Sequence, residues 1–186
     1  MLTTAPAITM SAPHLRDGRP LAIQPITPAA RSLIEKAMAR VSPESSRRRF
    51  FTPRFRLSER ELDAMTVLDG HDRFALGAAV SGRDGSPEGV GVARFVRMRD
   101  HDDAAEVAIL VVDAFQGQGV GRMLLARLAI AALQRGIARF RGIVMTDNDP
   151  MLKLLSRYAP AHTMARVDGH FDFEVPLLAR DAVAAM

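Results

Sequence analysis

Apolar positions along this chain recur with two periods, and the change from one period to the other marks its elements. Leu21-Ala22-Ile23 predicts a short strand. Thr27 then reads as the cap of a helix with Pro28 at its first position and Leu33, Ile34, Ala37, Met38 and Val41 on one face. A second short helix follows Ser42-Pro43. Ser58 and Glu61 make an S-x-x-E capping box, with Leu57 and Leu62 as its hydrophobic staple, so a third helix starts near Glu59.

From Phe74 the period shortens to that of strands. Two apolar segments, Phe74 to Val80 and Gly89 to Val96, flank the polar turn Ser81 to Pro87 and predict a hairpin. Glu106 to Val112 continues the sheet. Arg122 to Arg135 is amphipathic, with Leu124, Leu125, Leu128 and Leu133 as its buried stripe and Gly136 as its C-terminal cap. Phe140 to Met145 reads as a strand and Asp149 to Tyr158 as a helix that Pro160 ends. Met164 to Val167 and Phe171 to Val175 flank Asp168-Gly169, a hairpin signal. Residues 1 to 18 mix Pro, Thr and Ala without periodicity and predict a flexible tail ahead of a single domain over 19–186.

Gln116-Gly117-Gln118-Gly119-Val120-Gly121 stands between an apolar strand and a helix, and that placement gives it chemistry. A strand passing through a glycine-rich turn into a helix N-terminus leaves several backbone N–H groups unpaired and aimed at one spot, where the helix dipole also favours negative charge. The loop reads as a pyrophosphate cradle. A dinucleotide fingerprint would need glycine where Arg122 stands and an acid near Arg139, and no Walker sequence occurs. The pattern that fits is Q-x-x-G-x-G. It resembles the acyl-CoA loop of the GNAT superfamily of N-acyltransferases, a likeness that runs in element order over roughly residues 15 to 176.

Within that superfamily, Ser42-Pro43-Glu44-Ser45-Ser46, Arg49-Phe50-Phe51, Leu57 to Leu62 and Ala105-Glu106-Val107-Ala108 resemble the catalytic domain of bacterial Pat-type protein lysine acetyltransferases. The resemblance implies an α+β fold, a mixed twisted sheet of six to seven strands flanked by helices, with the N-terminal helices shaping the acceptor site. It implies acetyl-CoA as co-substrate and Glu106 as general base in a direct ternary reaction. An apolar surround would raise the Glu106 pKa toward the working range. Taken alone, without the resemblance, Glu106 reads as the start of a surface strand. The likeness also carries Ile109, Leu110 and Val111 as main-chain contacts to the pantetheine arm and thioester carbonyl, and Gln116 to Gly121 with Arg122 as contacts to the pyrophosphate.

Asn148 is a pantetheine candidate, with a helix cap as the plain alternative. The common superfamily tyrosine, seven positions after such an asparagine, is Leu155 here. The single tyrosine, Tyr158, lies one turn on and is a candidate acid for the leaving thiolate, with water or a packing role as alternatives.

Composition then narrows the picture. The chain has 186 residues, 48% of them hydrophobic, enough for one core. It has no cysteine, so neither a disulfide, a thiolate ligand nor a covalent acetyl-cysteine is available. Histidines are scattered without zinc spacing, and the cluster Asp100-His101-Asp102-Asp103 reads as a polar loop between strands, so no metal is expected. Twenty-five basic against 21 acidic residues is a modest excess, and Arg47-Arg48-Arg49, without interleaved aromatics, reads as a solvated helix face that could also meet adenosine phosphates.

Neither a signal peptide nor a long apolar span is apparent, and a cytoplasmic protein is expected. The expected partners are acetyl-CoA and an amine acceptor, either a protein lysine or a small molecule. A homodimer is compatible with the sequence, and neither nucleic acid nor membrane is expected. The alternative function is a catalytically silent acyl-CoA-binding or sensing module.

Overall fold

The computed structural model describes residues 13–53 and 56–178. Its strands are β1 (Ala22–Pro25), β2 (Arg73–Ser81), β3 (Pro87–Met98), β4 (His101–Val111), β5 (Arg139–Met145), β6 (Thr163–Val167) and β7 (His170–Pro176). They join in one sheet, ordered β1-β2-β3-β4-β5-β7-β6. Every neighbouring pair is antiparallel except β4 and β5. The helices are α1 (Arg31–Met38), α2 (Pro43–Phe50), α3 (Glu59–Thr66), α4 (Val120–Leu133) and α5 (Asp149–Tyr158).

Alternation along the strands sends side chains to two cores. Leu76, Ala78, Ala93 and Phe95 pack on one face with Leu124 and Leu128 of α4 and Leu155 of α5. Ala75, with Val92 beside it, points the other way, to Ile34 of α1 and Leu62 and Met65 of α3. Phe95 is wholly buried, its ring centroid 5.7 Å from that of Phe74 and 6.1 Å from that of Phe140.

Local chemistry explains most boundaries. The Ser58 box forms in full: its hydroxyl accepts from the Glu61 N–H while the Glu61 carboxylate accepts from the Ser58 N–H at 2.7 Å. Ser42 caps α2 by accepting from the Ser45 N–H. Asp168 (φ 33°) and Gly169 (φ 85°) make the tight turn between β6 and β7.

Three expectations are corrected. Thr27 makes no side-chain cap, and Pro28–Ala30 form a 3₁₀ turn ahead of α1. Val41 lies past the helix, whose end tightens through bonds from Arg40 N–H to the Ala37 carbonyl and Val41 N–H to the Met38 carbonyl. The expected Asp100 to Asp103 loop is mostly strand. β4 begins at His101, the Asp103 carbonyl accepts from the Ala138 N–H at 2.7 Å, and its carboxylate pairs with Arg139 at 2.9 Å. Pairing with neighbours overrides the polar composition there.

Of the tail expected over 1–18, residues 1–12 lie outside the described residues. Residues 13–18 are folded: Leu15 is buried, and the Arg16 N–H donates to the Gln118 carbonyl at 3.3 Å.

Candidate active site

The parallel pairing of β4 with β5 lasts for three rungs, from Ala104↔Arg139 to Glu106↔Arg141. Past Glu106, β5 stays paired with β7 as far as Met145↔His170, while β4 stays with β3. The two strands therefore diverge, and the wedge between them opens into a cleft of about 730 Å³. At its apex Gly142 has the ring of Phe173 laid over it; a Cβ there would sit 2.7 Å from Phe173 Cζ and 3.3 Å from the Val107 carbonyl oxygen. No other residue type fits this point without displacement.

The wedge frees backbone on one edge of β4. The Val112 N–H bonds to the Val90 carbonyl, on the β3 side, whereas the Val111 carbonyl faces away and accepts from the Gln116 side chain at 3.1 Å. By the alternation of an antiparallel ladder, Ile109 likewise turns its N–H and C=O into the gap. Those groups have no strand partner there and are available to a ligand that runs along the wedge.

At the far end of the cleft the loop turns into α4. Gly117 (φ 73°) and Gly119 (φ 92°, the N-cap) are left-handed, a conformation that disfavours a Cβ, and they aim the first N–H groups of α4 at the cleft. Among the residues expected to contact a cofactor, Ile109, Leu110, Val111, Gln116, Gly117, Gln118, Gly119, Gly121, Arg122 and Asn148 line this cleft together with Glu106 and Tyr158. Val120 does not: its side chain is buried beneath the first turn of α4. The Oε1 atom of Gln118 is buried without a hydrogen-bond partner, an acceptor left open in the loop.

Two expected contacts have structural duties. The Gln116 amide donates to Ser45 Oγ at 2.9 Å as well as to Val111, and Asn148 caps α5 by accepting from the Met151 N–H at 3.3 Å. Gln116 belongs to a network that the sequence did not reveal. Asp113 accepts from the Ser42 N–H (2.8 Å), the Ser42 hydroxyl (2.7 Å) and the Ser45 hydroxyl (2.7 Å). Partial burial works against its ionisation, but these bonds hold the Asp113 carboxyl below its usual range. The network fastens the start of α2 to the glycine loop. Tyr158 stands between the guanidiniums of Arg122 (5.9 Å from the ring centroid) and Arg157 (5.5 Å), and Leu155 is buried.

Glu106 departs from expectation. It sits within β4 rather than at its start, and it is exposed, with Arg49 and Arg94 as charged neighbours. The arginine run is likewise not a solvated face, because Arg48 and Arg49 line the cleft and none of Arg47, Arg48 and Arg49 is fully exposed. Arg47 pairs with Asp147 at 2.5 Å. Burial first, then the charge of Arg94, brings the Arg49 guanidinium down to about 10. Arginines in a sequence show their count but not how deeply helix packing sets them; Gly142, a glycine inside a strand, was the signal that could have marked the apex.

A family model described as the acetyltransferase (GNAT) family matches residues 37–159. The acetyltransferase Pat of Mycolicibacterium smegmatis is 43% identical over 65 residues, which are 35% of this chain and 20% of that protein. The chain thus spans a small part of that relative. The GNAT domain of S. lividans PAT superposes with a TM-score of 0.79 at 34% identity, covering 94% of this chain and all of that domain. The yncA protein of Salmonella typhimurium, solved with its cofactor acetyl-CoA, shares the fold: TM-score 0.66, 17% identity, 85% of this chain and 94% of that one.

Proposed function

This chain belongs to the acetyltransferase (GNAT) family, and from that premise we propose that it moves the acetyl group of acetyl-CoA to a primary amine, with Glu106 as the base. The observation that carries the reading is the wedge between β4 and β5, with an exposed carboxylate at its last paired rung and a helix N-terminus at its other end.

The residues fit the cofactor. The N–H groups opening α4 suit the pyrophosphate, Arg122 adds positive charge, and the free edge of β4 at Ile109 suits an amide-bearing arm that completes the broken sheet. When bound, acetyl-CoA supplies a thioester carbonyl as electrophile. Glu106 takes a proton from the incoming ammonium, and a β4 N–H donates to the carbonyl oxygen as it gains charge. The amine nitrogen bonds to the carbonyl carbon, the carbon–sulfur bond breaks, the thiolate takes a proton from water or from Tyr158, and the second proton that the nitrogen sheds as the amide forms restores that donor. The chain has no cysteine to carry a covalent acetyl group, in keeping with direct attack.

The likeness to the S. lividans PAT domain supports a protein lysine as acceptor; a free small amine is the other class. The catalytic unit proposed is the single domain over 19–186, extended by the docked turn before it. Among the described residues no helix is long and apolar enough to cross a membrane, and the cytoplasm is the proposed place of action.

Calorimetric titration tests the cofactor first. Acetyl-CoA should bind with a Kd on the order of micromolar, about −8 kcal/mol; absence of binding at millimolar ligand would overturn the reading. Glu106→Gln should keep that affinity and lower coenzyme A release by about 10²-fold or more. Release unchanged in this variant would remove Glu106 as base. Binding in the native chain with no release from any amine would leave a silent acyl-CoA-binding module.

A further inference from the structure

Helix α2 lies along β4 with its ends in register with the two ends of the cleft. Its start is tied through Ser42 and Ser45 to Asp113 and Gln116, beside the glycine loop, and its last turn brings Arg49 to the Glu106 end. Arg49 is therefore remote from the pyrophosphate cradle and close to the proposed base.

Arg94 joins it from the neighbouring strand. On β3, Arg94 pairs with Ala108 and Val96 with Glu106, so Arg94 and Glu106 are diagonal neighbours on one face of the sheet, and Arg49 of α2 interacts with both. Both arginines are half-buried, and burial lowers both guanidinium pKa values. Among the described residues neither makes an ion pair within 4.0 Å. Among the described residues Glu106 is the one carboxylate that acts on either, while Arg73 adds a further positive charge against Arg94. A desolvated guanidinium without a bound anion is costly, and its planar fork of donors suits a carboxylate. The Phe50 ring, its centroid 4.8 Å from the Arg49 guanidinium, takes one face of that group and leaves the edge donors of the fork open, so the cluster is short of negative charge.

We infer that the acceptor presents a carboxylate beside its reacting amine, gripped by Arg49 in the cleft with Arg94 one strand behind reinforcing the field. The inference rests on the acetyl-transfer reading for the word acceptor, but the anion site itself does not. The same chemistry comes from two sources, the α-carboxylate of a free amino acid or an acidic residue flanking a lysine in a polypeptide.

The test is calorimetric titration of the coenzyme A-saturated protein with acetylated products in matched pairs. One pair is an N-acetyl amino acid and its C-terminal amide. The other is a capped tripeptide carrying acetyl-lysine next to Glu or next to Gln. In one pair the acid member should bind about tenfold tighter than its neutral partner, as expected for a charge-assisted bidentate contact, and the pair that responds identifies the source. Arg49→Gln and Arg94→Gln, prepared in parallel so that misfolding of one leaves the other, should flatten the preference.

Equal affinities within both pairs, no binding by any member, or a preference that survives both variants would overturn the inference. Coenzyme A release with the matching free amine is measured separately. A clear acid preference without release would sink acetyl transfer and leave the anion site standing.

Discussion

At the scale of single residues, the site is built from groups that differ in how far stability depends on them. Arg49 is half-buried beside Arg94, without an ion pair among the described residues and with its guanidinium 4.8 Å from the centroid of the Phe50 ring, so Arg49→Met should lower turnover while shifting the melting temperature by less than about 3 °C in thermal denaturation; a larger fall would show that the guanidinium holds α2 in place. Gly142 stands at the opposite extreme. A methyl group there meets the Phe173 ring at 2.7 Å, so Gly142→Ala should cost about 1–3 kcal/mol in chemical denaturation and weaken acetyl-CoA binding by narrowing the apex.

At the scale of elements, the helices depend on short polar contacts as much as on apolar stripes. The capping box of α3 is complete, and Ser58→Ala should lower stability by about 1 kcal/mol in urea unfolding without changing acetyl-CoA affinity. Asp113 acts between elements. Replacing it with Ala removes three acceptor bonds and should release α2 from the glycine loop, so that acetyl-CoA affinity falls although no Asp113 atom lines the cleft. Calorimetry on Asp113→Ala reads this directly, and an unchanged Kd would deny the coupling.

For the whole molecule, the same carboxylate gives acid sensitivity a definite sign. Its folded-state pKa is depressed below the ordinary 3.8, so its contribution is present above that value and is lost as pH falls through the folded pKa. Asp113→Asn, which fixes the group in a neutral form, should therefore begin acid unfolding at higher pH than the native chain; with Asp17, Asp69, Asp72, Asp84 and Asp147 depressed as well, the shift is expected to be small in an acid titration followed by circular dichroism. Saturating acetyl-CoA should raise the melting temperature by linkage.

What the chain determined by itself is what short-range physics can encode. The alternation of Phe74 to Val80, the box at Ser58, the turn at Asp168-Gly169 and the glycines before α4 each depend on chirality, pleat or one hydrogen bond between near neighbours, and all four formed as read. Pairing across the sheet decided the rest. Nothing local to β4 states that β5 will leave it after Glu106, or that β4 will reach back to His101 through a run of acids. Nor does an Arg-Arg-Arg run state which guanidinium will lose water, since that depends on how α2 docks through Asp113, more than sixty residues away in sequence. The glycine loop was legible because backbone geometry is local. The charge around Glu106 was not, because desolvation belongs to the assembled fold.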